Sequence, residues 1–353
     1  MKSGANKSRA RKRICAERKV IRSNDTSVKK RNWTSDSLRP AALAGLVNNL
    51  QQIEGGDGSG TVEIARGLEL AVTNLDKVFF PRKKFTKGDL LRYYATVAPL
   101  VLPVMKDRPL VLKRFPNGVG GPSFFQQNAG DTPEGVRVET IETQGGATNL
   151  RIVGGDLYTL LYTVQLGSIS VDPWHARIQS LDFADYAILD LDPGPRATFS
   201  RVIQVARWIK ETLDQLGLHA ALKTSGSTGL HMYLPLPPKT PNESATLLAQ
   251  IIATRVAEAY PKVATIERLL KARGATTVYV DYLQNTIGKT VAAAYSARAN
   301  PNALVSTPLA WDELTDDLDP QDFTIETAPA RFANVGDIWF TALKKPNSLK
   351  ALS

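Results

Sequence analysis

Residues 185–195 read DYAILDLDPGP, and the way this stretch folds decides the rest. Ile188, Leu189 and Leu191 favour burial, while Pro193, Gly194 and Pro195 stop a strand directly after Asp192. Residues i and i+2 of a strand share a face, so Asp190 and Asp192 lie side by side at a sheet's edge next to a loop. Two carboxylates so placed repel each other unless a cation holds them. Hard divalent ions such as Mg²⁺ or Mn²⁺ take oxygen ligands, commonly one or two carboxylates plus substrate phosphates. An Asp that ends a strand before Pro-Gly also serves as a plain turn former. The pair therefore needs partners elsewhere in the chain.

Such partners lie downstream. A helix expected over Thr198 to Leu216 leads to a strand over His219 to Thr224, the loop Ser225-Gly226-Ser227-Thr228-Gly229, and a strand over His231 to Leu236. Gly226 and Gly229 let backbone amides approach a phosphate, Ser225 and Ser227 can donate, and His231 follows at once. Helices over Asn242 to Tyr260 and Ile266 to Ala272 precede a strand over Thr277 to Leu283, which carries Tyr279 and Asp281 on one face. Lys289 and a strand over Val291 to Arg298 come next. Asp281 is the third carboxylate that the pair lacked, and three such groups can hold the two cations of an in-line phosphoryl displacement. The β-α-β-β-α-β order points to an α/β (α+β) class with a split, ferredoxin-like mixed sheet bearing the carboxylates.

Upstream, Leu157 to Leu166 reads as a helix and Ser168 to Val171 as a strand, followed by the turn Asp172-Pro173-Trp174-His175-Ala176-Arg177. Leu110 to Arg114 reads as a strand, and Phe124 and Phe125 are adjacent aromatics beyond a Pro-Asn-Gly turn. Neighbours on an extended segment face opposite ways, so one phenylalanine can enter the core while the other offers a stacking platform for a base; both buried is the plainer reading. Thr86-Lys87-Gly88-Asp89 starts a helix over Leu90 to Leu102, and Thr61 to Leu70 alternates like a strand. Lys77 and Lys87, separated by a loop, can converge on one anion, although loop lysines are usually just solvated. Pro40 to Ile53 has helical spacing, and Glu54 to Gly60 reads as a flexible linker.

The 353 residues, 43% hydrophobic and 22% charged, have the composition of a globular protein. No apolar run approaches the ~18 residues that a membrane helix needs. The first 31 residues hold twelve Lys or Arg, two acidic residues and no apolar core of a secretory signal, which points to a cytoplasmic protein. A single cysteine, Cys15, leaves no intrachain disulfide framework. The twelve and two account for the whole net charge of +10, so the remainder is balanced. The basicity belongs to a tail, expected to be disordered and drawn to nucleic acid, or else merely solubilising.

Five stretches together carry a resemblance: VTNLDKVFFP with FTKGD, PSFFQQN, DYAILDLDPGP, LKTSGSTGLHMYLPL and VYVDYLQNTIGKT. In this order they resemble the primase-polymerase domain of bacterial ATP-dependent DNA ligase D, in the archaeo-eukaryotic primase superfamily, across roughly residues 61 to 345. The division expected is a basic tail over 1–32, a helix and Gly-rich linker over 33–60, and the primase-polymerase domain with a smaller N-terminal α/β part over 61–345. The resemblance implies a template-directed nucleotidyltransferase of non-homologous end joining. Such an enzyme fills or extends DNA ends and gapped duplex, commonly favours ribonucleotides, and works with Ku and a DNA ligase in the bacterial cytoplasm, at the nucleoid. It further implies two divalent cations, Mn or Mg, held by Asp190, Asp192 and Asp281, with a nucleoside triphosphate as substrate. Ser225, Gly226, His231, Lys289 and Asp172 would line the nucleotide site, Asn74, Lys77 and Lys87 would grip a downstream 5′-phosphate, and Phe124 and Phe125 would stack on bases.

The family's loop before the acidic strand usually has His or Asn where Asp172 stands. A carboxylate there repels a triphosphate unless a metal or a nearby cation such as Arg177 compensates. The basic residue frequent inside the Ser-Gly loop is also replaced, by Thr228. No lysine sits in the KxDG setting of an ATP-dependent ligase, and three histidines leave little for a phosphoesterase, so a polymerase module alone is expected. Three rival readings remain: an aspartate-nucleophile phosphatase, a metal-dependent glycosyltransferase, and an end-binding module without chemistry. Gly194, where the first of these normally has Thr or Ser, and the lysine pair weigh against the two enzymes.

Overall fold

The computed structural model describes residues 36–142 and 146–349, together with the backbone of Val20 and Ile21. That dipeptide forms β1 (Val20–Ile21), and the rest of the expected basic tail, Cys15 included, lies outside the described residues. Helix α1 (Pro40–Gly55) starts on a proline, whose missing N–H costs nothing in the first turn, and buries Leu43, Leu46 and Leu50. The strand expected over 61–70 is instead a hairpin, β2 (Gly60–Ala65) and β3 (Leu68–Val72), turned at Gly67 with φ 73°. Strands β4 (Val78–Phe80) and β5 (Phe85–Thr86) then pair and lead into α2 (Lys87–Met105). Thr86 and Asp89 cap that helix reciprocally, so it begins three residues before its first leucine.

The linker reading of 54–60 gives way. Glu54 is paired with Arg92 and accepts from Thr86 Oγ1 at 2.5 Å, and Leu75 N–H reaches back to Gly58 O at 2.7 Å. Helix α1 thus packs on α2 within the first core, where Leu50, Leu90, Leu91 and Tyr94 are fully buried.

Strands β6 (Leu110–Arg114) and β7 (Phe124–Gln126) form a small sheet, and β8 (Val138–Glu142) with β9 (Thr148–Ile152) another, to whose edge β1 adds. The docking of Val20 and Ile21 on Ile141 and Thr140 departs from a wholly disordered tail. Helix α3 (Leu157–Gln165) is capped by Asp156. The next strand is two residues, β10 (Asp172–Pro173), set beyond the 168–171 expected, and it completes the order β10-β6-β7.

The second half holds β11 (Tyr186–Pro193), α4 (Phe199–Gln215), β12 (Ala221–Thr224), β13 (Leu230–Pro235), α5 (Asn242–Ala259), β14 (Ala264–Thr265), β15 (Val278–Asp281) and β16 (Pro308–Leu309). They build one sheet in the order β14-β15-β11-β13-β12-β16. In its central four, β15-β11-β13-β12, each strand is antiparallel to its neighbours, the arrangement expected of a split βαβ sheet. Alternation sorts the faces. Ala187, Leu189, Leu191, Met232 and Val280 pack under α4 and α5, while Tyr186, Ile188 and Tyr233 join the first core. Asp190, at even spacing from Ile188, is therefore carried on the face away from the two helices.

Two expected elements are absent. Residues 266–272 form only a short 3₁₀ turn, Leu270–Ala272, and residues 291–298 contain no strand: Tyr295 has φ 66°, which ends any extended run. Two terminal helices, α6 (Ala328–Val335) and α7 (Ile338–Leu343), close the first core with Phe332 and Trp339. No helix among the described residues is long and apolar enough to cross a membrane.

Candidate active site

Register assembles the site. Asp190 of β11 lies directly opposite Asp281 of β15 on one side and His231 of β13 on the other. Asp192 lies opposite Tyr279. Ligand atoms of Asp190, Asp192 and Asp281 all come within 4.8 Å of one another, so the third carboxylate joins the first two. Asp281 is held by Leu283 N–H at 2.8 Å, Gln284 Nε2 at 2.8 Å and Tyr279 Oη at 3.1 Å, and Arg273 lies 3.5 Å over the Tyr279 ring.

The electrostatics of the cluster favour a cation. Burial pushes the Asp190 carboxyl up to about 6, against the pull of Lys223 and Arg298. Asp192, the exposed member, rises to about 7 through the protein around it and then through repulsion by Asp190 and Asp281. His231 Nε2 lies 3.1 Å from Asp190 Oδ1 but off the line of a hydrogen bond, and that buried oxygen has no hydrogen-bond partner among the described residues. An all-oxygen donor set with an orphaned oxygen and mutual repulsion fits a hard divalent ion.

The Ser-Gly loop closes over the same edge. Ser225 Oγ accepts from the N–H groups of Ser227 at 3.1 Å and Gly229 at 3.0 Å, leaving its own hydrogen to donate. Gly226 has φ 69°, and a Cβ there would sit 2.5 Å from Arg298 Cγ; a Cβ on Gly229 would strike Leu191 O at 2.0 Å. Arg298 Nη1 donates to Ser225 O at 2.7 Å. Lys289 is exposed on the loop beside Trp174 and His175, and the structure gives it no contact with the carboxylates.

Asp172 accepts from Ser170 Oγ at 2.5 Å, and burial raises its pKa while Arg298, Lys113 and Lys223 pull the other way. The cation expected to compensate was Arg177, but that side chain donates to Asp185 at 2.9 Å and to Lys106 O at 2.8 Å. The three cations around Asp172 come instead from β6, β12 and the loop after β15. His175 is buried against Tyr186, its pKa pushed down to about 3 by burial and then by Arg108 and His231.

Sequence reasoning missed Lys223, Arg298, Lys113 and Arg114. A lysine inside the apolar run of β12, two residues before Ser225, was the available signal, since a strand puts both on one face. Arg298 carried none, because residues 291–298 read as a strand.

A second basic group lies at the start of α2. Lys77 and Lys87 flank the paired strands β4 and β5, with Lys87 N–H bonded to Lys77 O at 2.8 Å. Lys77 Nζ donates to Pro116 O at 2.9 Å and Asn117 Oδ1 at 2.6 Å, and Lys87 Nζ to Thr73 O at 2.8 Å. Lys87 is buried and its pKa falls to about 8, through burial first and then through Lys77 and Arg114. Asn74 has φ 56° and spends its backbone N–H on Ser59 Oγ at 3.2 Å, leaving its side-chain amide for an anion. Phe124 and Phe125 are both exposed, 48% and 65%, so neither enters the core. Arg114 lies over Phe124 at 5.2 Å and Lys113 over Phe125 at 5.5 Å.

Known proteins resemble this chain in sequence and fold. The family model for the LigD primase-polymerase domain matches residues 86–339. The bifunctional non-homologous end joining protein LigD of Bacillus subtilis (strain 168) is 33% identical over 279 residues, 79% of this chain and 45% of that protein. The multifunctional LigD of Mycolicibacterium smegmatis is 33% identical over 248 residues, 69% of this chain and 32% of its own length. This chain thus spans less than half the length of either relative. The solved polymerase domain from Mycobacterium tuberculosis ligase D, in complex with DNA, aligns with a TM-score of 0.71 at 31% identity, covering 79% of this chain and 99% of that one. On the match over residues 86–339 and these relatives, the chain belongs to the LigD primase-polymerase domain family.

Proposed function

We propose that this protein is a template-directed nucleotidyltransferase that fills or extends DNA ends in non-homologous end joining. The observation that carries the reading is the gathering of Asp190, Asp192 and Asp281 within 4.8 Å, in register with His231 and beside the Ser225 loop. Asp190, Asp192 and Asp281 would hold two divalent cations, Mn or Mg, which when bound lower the pKa of the attacking 3′-hydroxyl and neutralise the leaving pyrophosphate. The chain's own groups orient the triphosphate: the Ser225 hydroxyl and loop amides donate to phosphate oxygens, and Arg298, Lys113 and His231 face the same edge. Asn74, Lys77, Lys87 and Arg114 form an anion pocket suited to the 5′-phosphate of a downstream strand, with Phe124 and Phe125 as stacking surfaces between the two. Ribonucleotides as preferred substrates, Ku and a DNA ligase as partners, and a cytoplasmic site of action are part of the same proposal, supported by the family likeness alone.

Primer extension on a gapped duplex with Mn²⁺ or Mg²⁺, with ribo- and deoxyribonucleotides supplied separately, tests this. Metal-dependent addition opposite a template base is expected, lost in Asp190→Ala. DNA binding without addition under either metal would leave an end-binding module, the second reading. Asp172 is the one feature that favours that alternative. Its placement among Arg298, Lys113 and Lys223 offsets the repulsion it would exert on a triphosphate.

A further inference from the structure

Eleven residues from Lys77 to Lys87 hold five cations and no acidic group, although the chain beyond residue 31 is balanced overall. Lys77 and Lys87 belong to the anion pocket at the open end of the hairpin made by β4 and β5. Arg82, Lys83 and Lys84 lie in the turn at its closed end, all three exposed. None of them is paired with a carboxylate among the described residues. Glu54 and Asp89, which both meet the Thr86 hydroxyl, are taken by Arg92.

The turn is firmly mounted. Phe79 and Phe80, just before it, are buried in the first core, and Lys83 N–H bonds back to Phe80 O at 3.1 Å. Lys84 has φ 58°, a left-handed backbone that suits glycine and burdens a lysine. With no partner in the fold, its side chain offsets none of that cost from within. The turn thus holds three unpaired positive charges in solvent on a base that does not move with them.

Position supplies the partner. Val119 N–H donates to Phe79 O at 2.8 Å, and a Cβ added to Gly120 would meet Pro81 Cγ at 3.8 Å. The strand leading into the turn therefore runs beside the loop that holds Asn117, a partner of Lys77, and ends at Phe124 and Phe125. Four residues separate Lys77 from Pro81, so the turn starts within roughly 13 Å of the pocket at ~3.3 Å per residue. One strand of duplex DNA advances about 3.4 Å per nucleotide, so that span covers about three or four nucleotides. We propose that Arg82, Lys83 and Lys84 bind the sugar-phosphate backbone of the downstream duplex, about three or four nucleotides beyond the 5′ end that Lys77 and Lys87 receive. The proposal rests on the reading of that pocket given above and adds to it a second contact, to internal phosphates and independent of sequence.

Fluorescence anisotropy on two ligands sharing one template and primer tests this: a gap with a downstream strand, and the same template left single-stranded there. Arg82→Gln, Lys83→Gln and Lys84→Gln together should lower affinity for the gap about tenfold and reduce the slope of log affinity against log salt by about 2 to 3, as three lost phosphate contacts require. Affinity for the template without a downstream strand should hardly change. The preference for a 5′-phosphate should survive, since Lys77 and Lys87 are untouched. Neutral methylphosphonate links at about two to five nucleotides from the downstream 5′ end should reproduce the loss in the unaltered protein and add nothing to the triple variant. Lys84→Gly separates fold from binding: it should raise the melting temperature while weakening the gap complex. Equal losses on the two ligands, no loss on either, a phosphate preference that vanishes with the turn, or additive effects of neutral links and substitutions would each overturn the proposal. Gap binding that depends on the turn, in a protein that extends no primer, would uphold it and refute the proposed reaction. Extension of a gapped primer with binding indifferent to the turn would do the opposite.

Discussion

Raising the pH should strip the protein of its preference for a 5′-phosphorylated gap. Lys87 carries the effect, because burial and the neighbouring Lys77 and Arg114 bring its pKa down to about 8. A terminal phosphate is already close to its dianion above pH 7, so the ligand hardly titrates in this range. A lysine of pKa about 8 is roughly nine-tenths charged at pH 7 and one-tenth at pH 9. A phosphate bound beside it raises that pKa, so binding takes up a proton wherever the free protein has lost it. The affinity ratio of phosphate-ended to hydroxyl-ended gaps should therefore fall about tenfold between pH 7 and pH 9. The same depressed pKa acts on the fold with its own sign. Between about 8 and 10.5 the unfolded lysine holds a proton that the folded one has shed, so this residue's contribution to stability rises with pH. Fluorescence anisotropy with the two gapped duplexes, titrated in buffers of equal ionic strength, measures the ratio. A ratio that stays constant from pH 7 to 9, or that persists in Lys87→Met, would refute the pocket.

Three further outcomes are expected. In metal-free protein, the raised pKa values of Asp190 and Asp192, about 6 and about 7, mean that stability falls as pH climbs from the unfolded carboxyl range through those values, and Mn²⁺ should therefore raise the melting temperature more at pH 7.5 than at pH 5.5; equal shifts would argue against the carboxylates as ligands. Asp172→Asn removes a negative charge while leaving Arg298 and Lys113 in place, so KM for the nucleotide should drop severalfold in steady-state extension, and an unchanged or higher KM would show that the carboxylate is used in binding. Deleting residues 1–31 removes the entire net charge of +10, so the slope of log affinity for duplex DNA against log salt should flatten, and an unaltered slope would mean that the arm never meets the backbone.

The acidic strand was legible because its information is local. Period-two alternation and a proline stop place Asp190 and Asp192 together whatever surrounds them, and Asp281 sits on an equally plain apolar strand. What escaped is long-range. Nothing near Lys223 announces that its strand will lie beside His231, and nothing near Arg298 says that Tyr295 will adopt φ 66° and break an apolar run into a buried loop. Leu269 and Leu270 look like the inner face of a helix, yet they are 69% and 78% exposed, since within that segment the contact with the second core comes from Ile266. Phe124 and Phe125 mislead in the same direction: apolar residues on an edge strand count as core by composition, and only the cationic partners Arg114 and Lys113 explain how they stay outside. The cation assigned to Asp172 was wrong because closeness in sequence stood in for closeness in space, and Arg177 was already committed to Asp185.

The small sheet of β10, β6 and β7 has a mechanical consequence. Val111, paired with Asp172, shares a face with Lys113 and its partner Phe125, whereas Arg114 and its partner Phe124 stand on the other. Lys113 acts on Asp172, on the side proposed for the nucleotide, and Arg114 on Lys87, on the side proposed for the 5′-phosphate. The sheet is thus a partition one backbone thick, with consecutive residues serving opposite rooms. Its thickness is fixed by covalent geometry and by ladder hydrogen bonds, so in the proposed reaction the two binding sites keep a fixed separation as long as the ladder holds. In the proposed reaction, the span of missing nucleotides that the protein bridges is then a dimension of the main chain. Exchanging side chains can change how tightly each end of a gap is gripped, but changing the length of the gap requires an insertion or deletion in the partition itself.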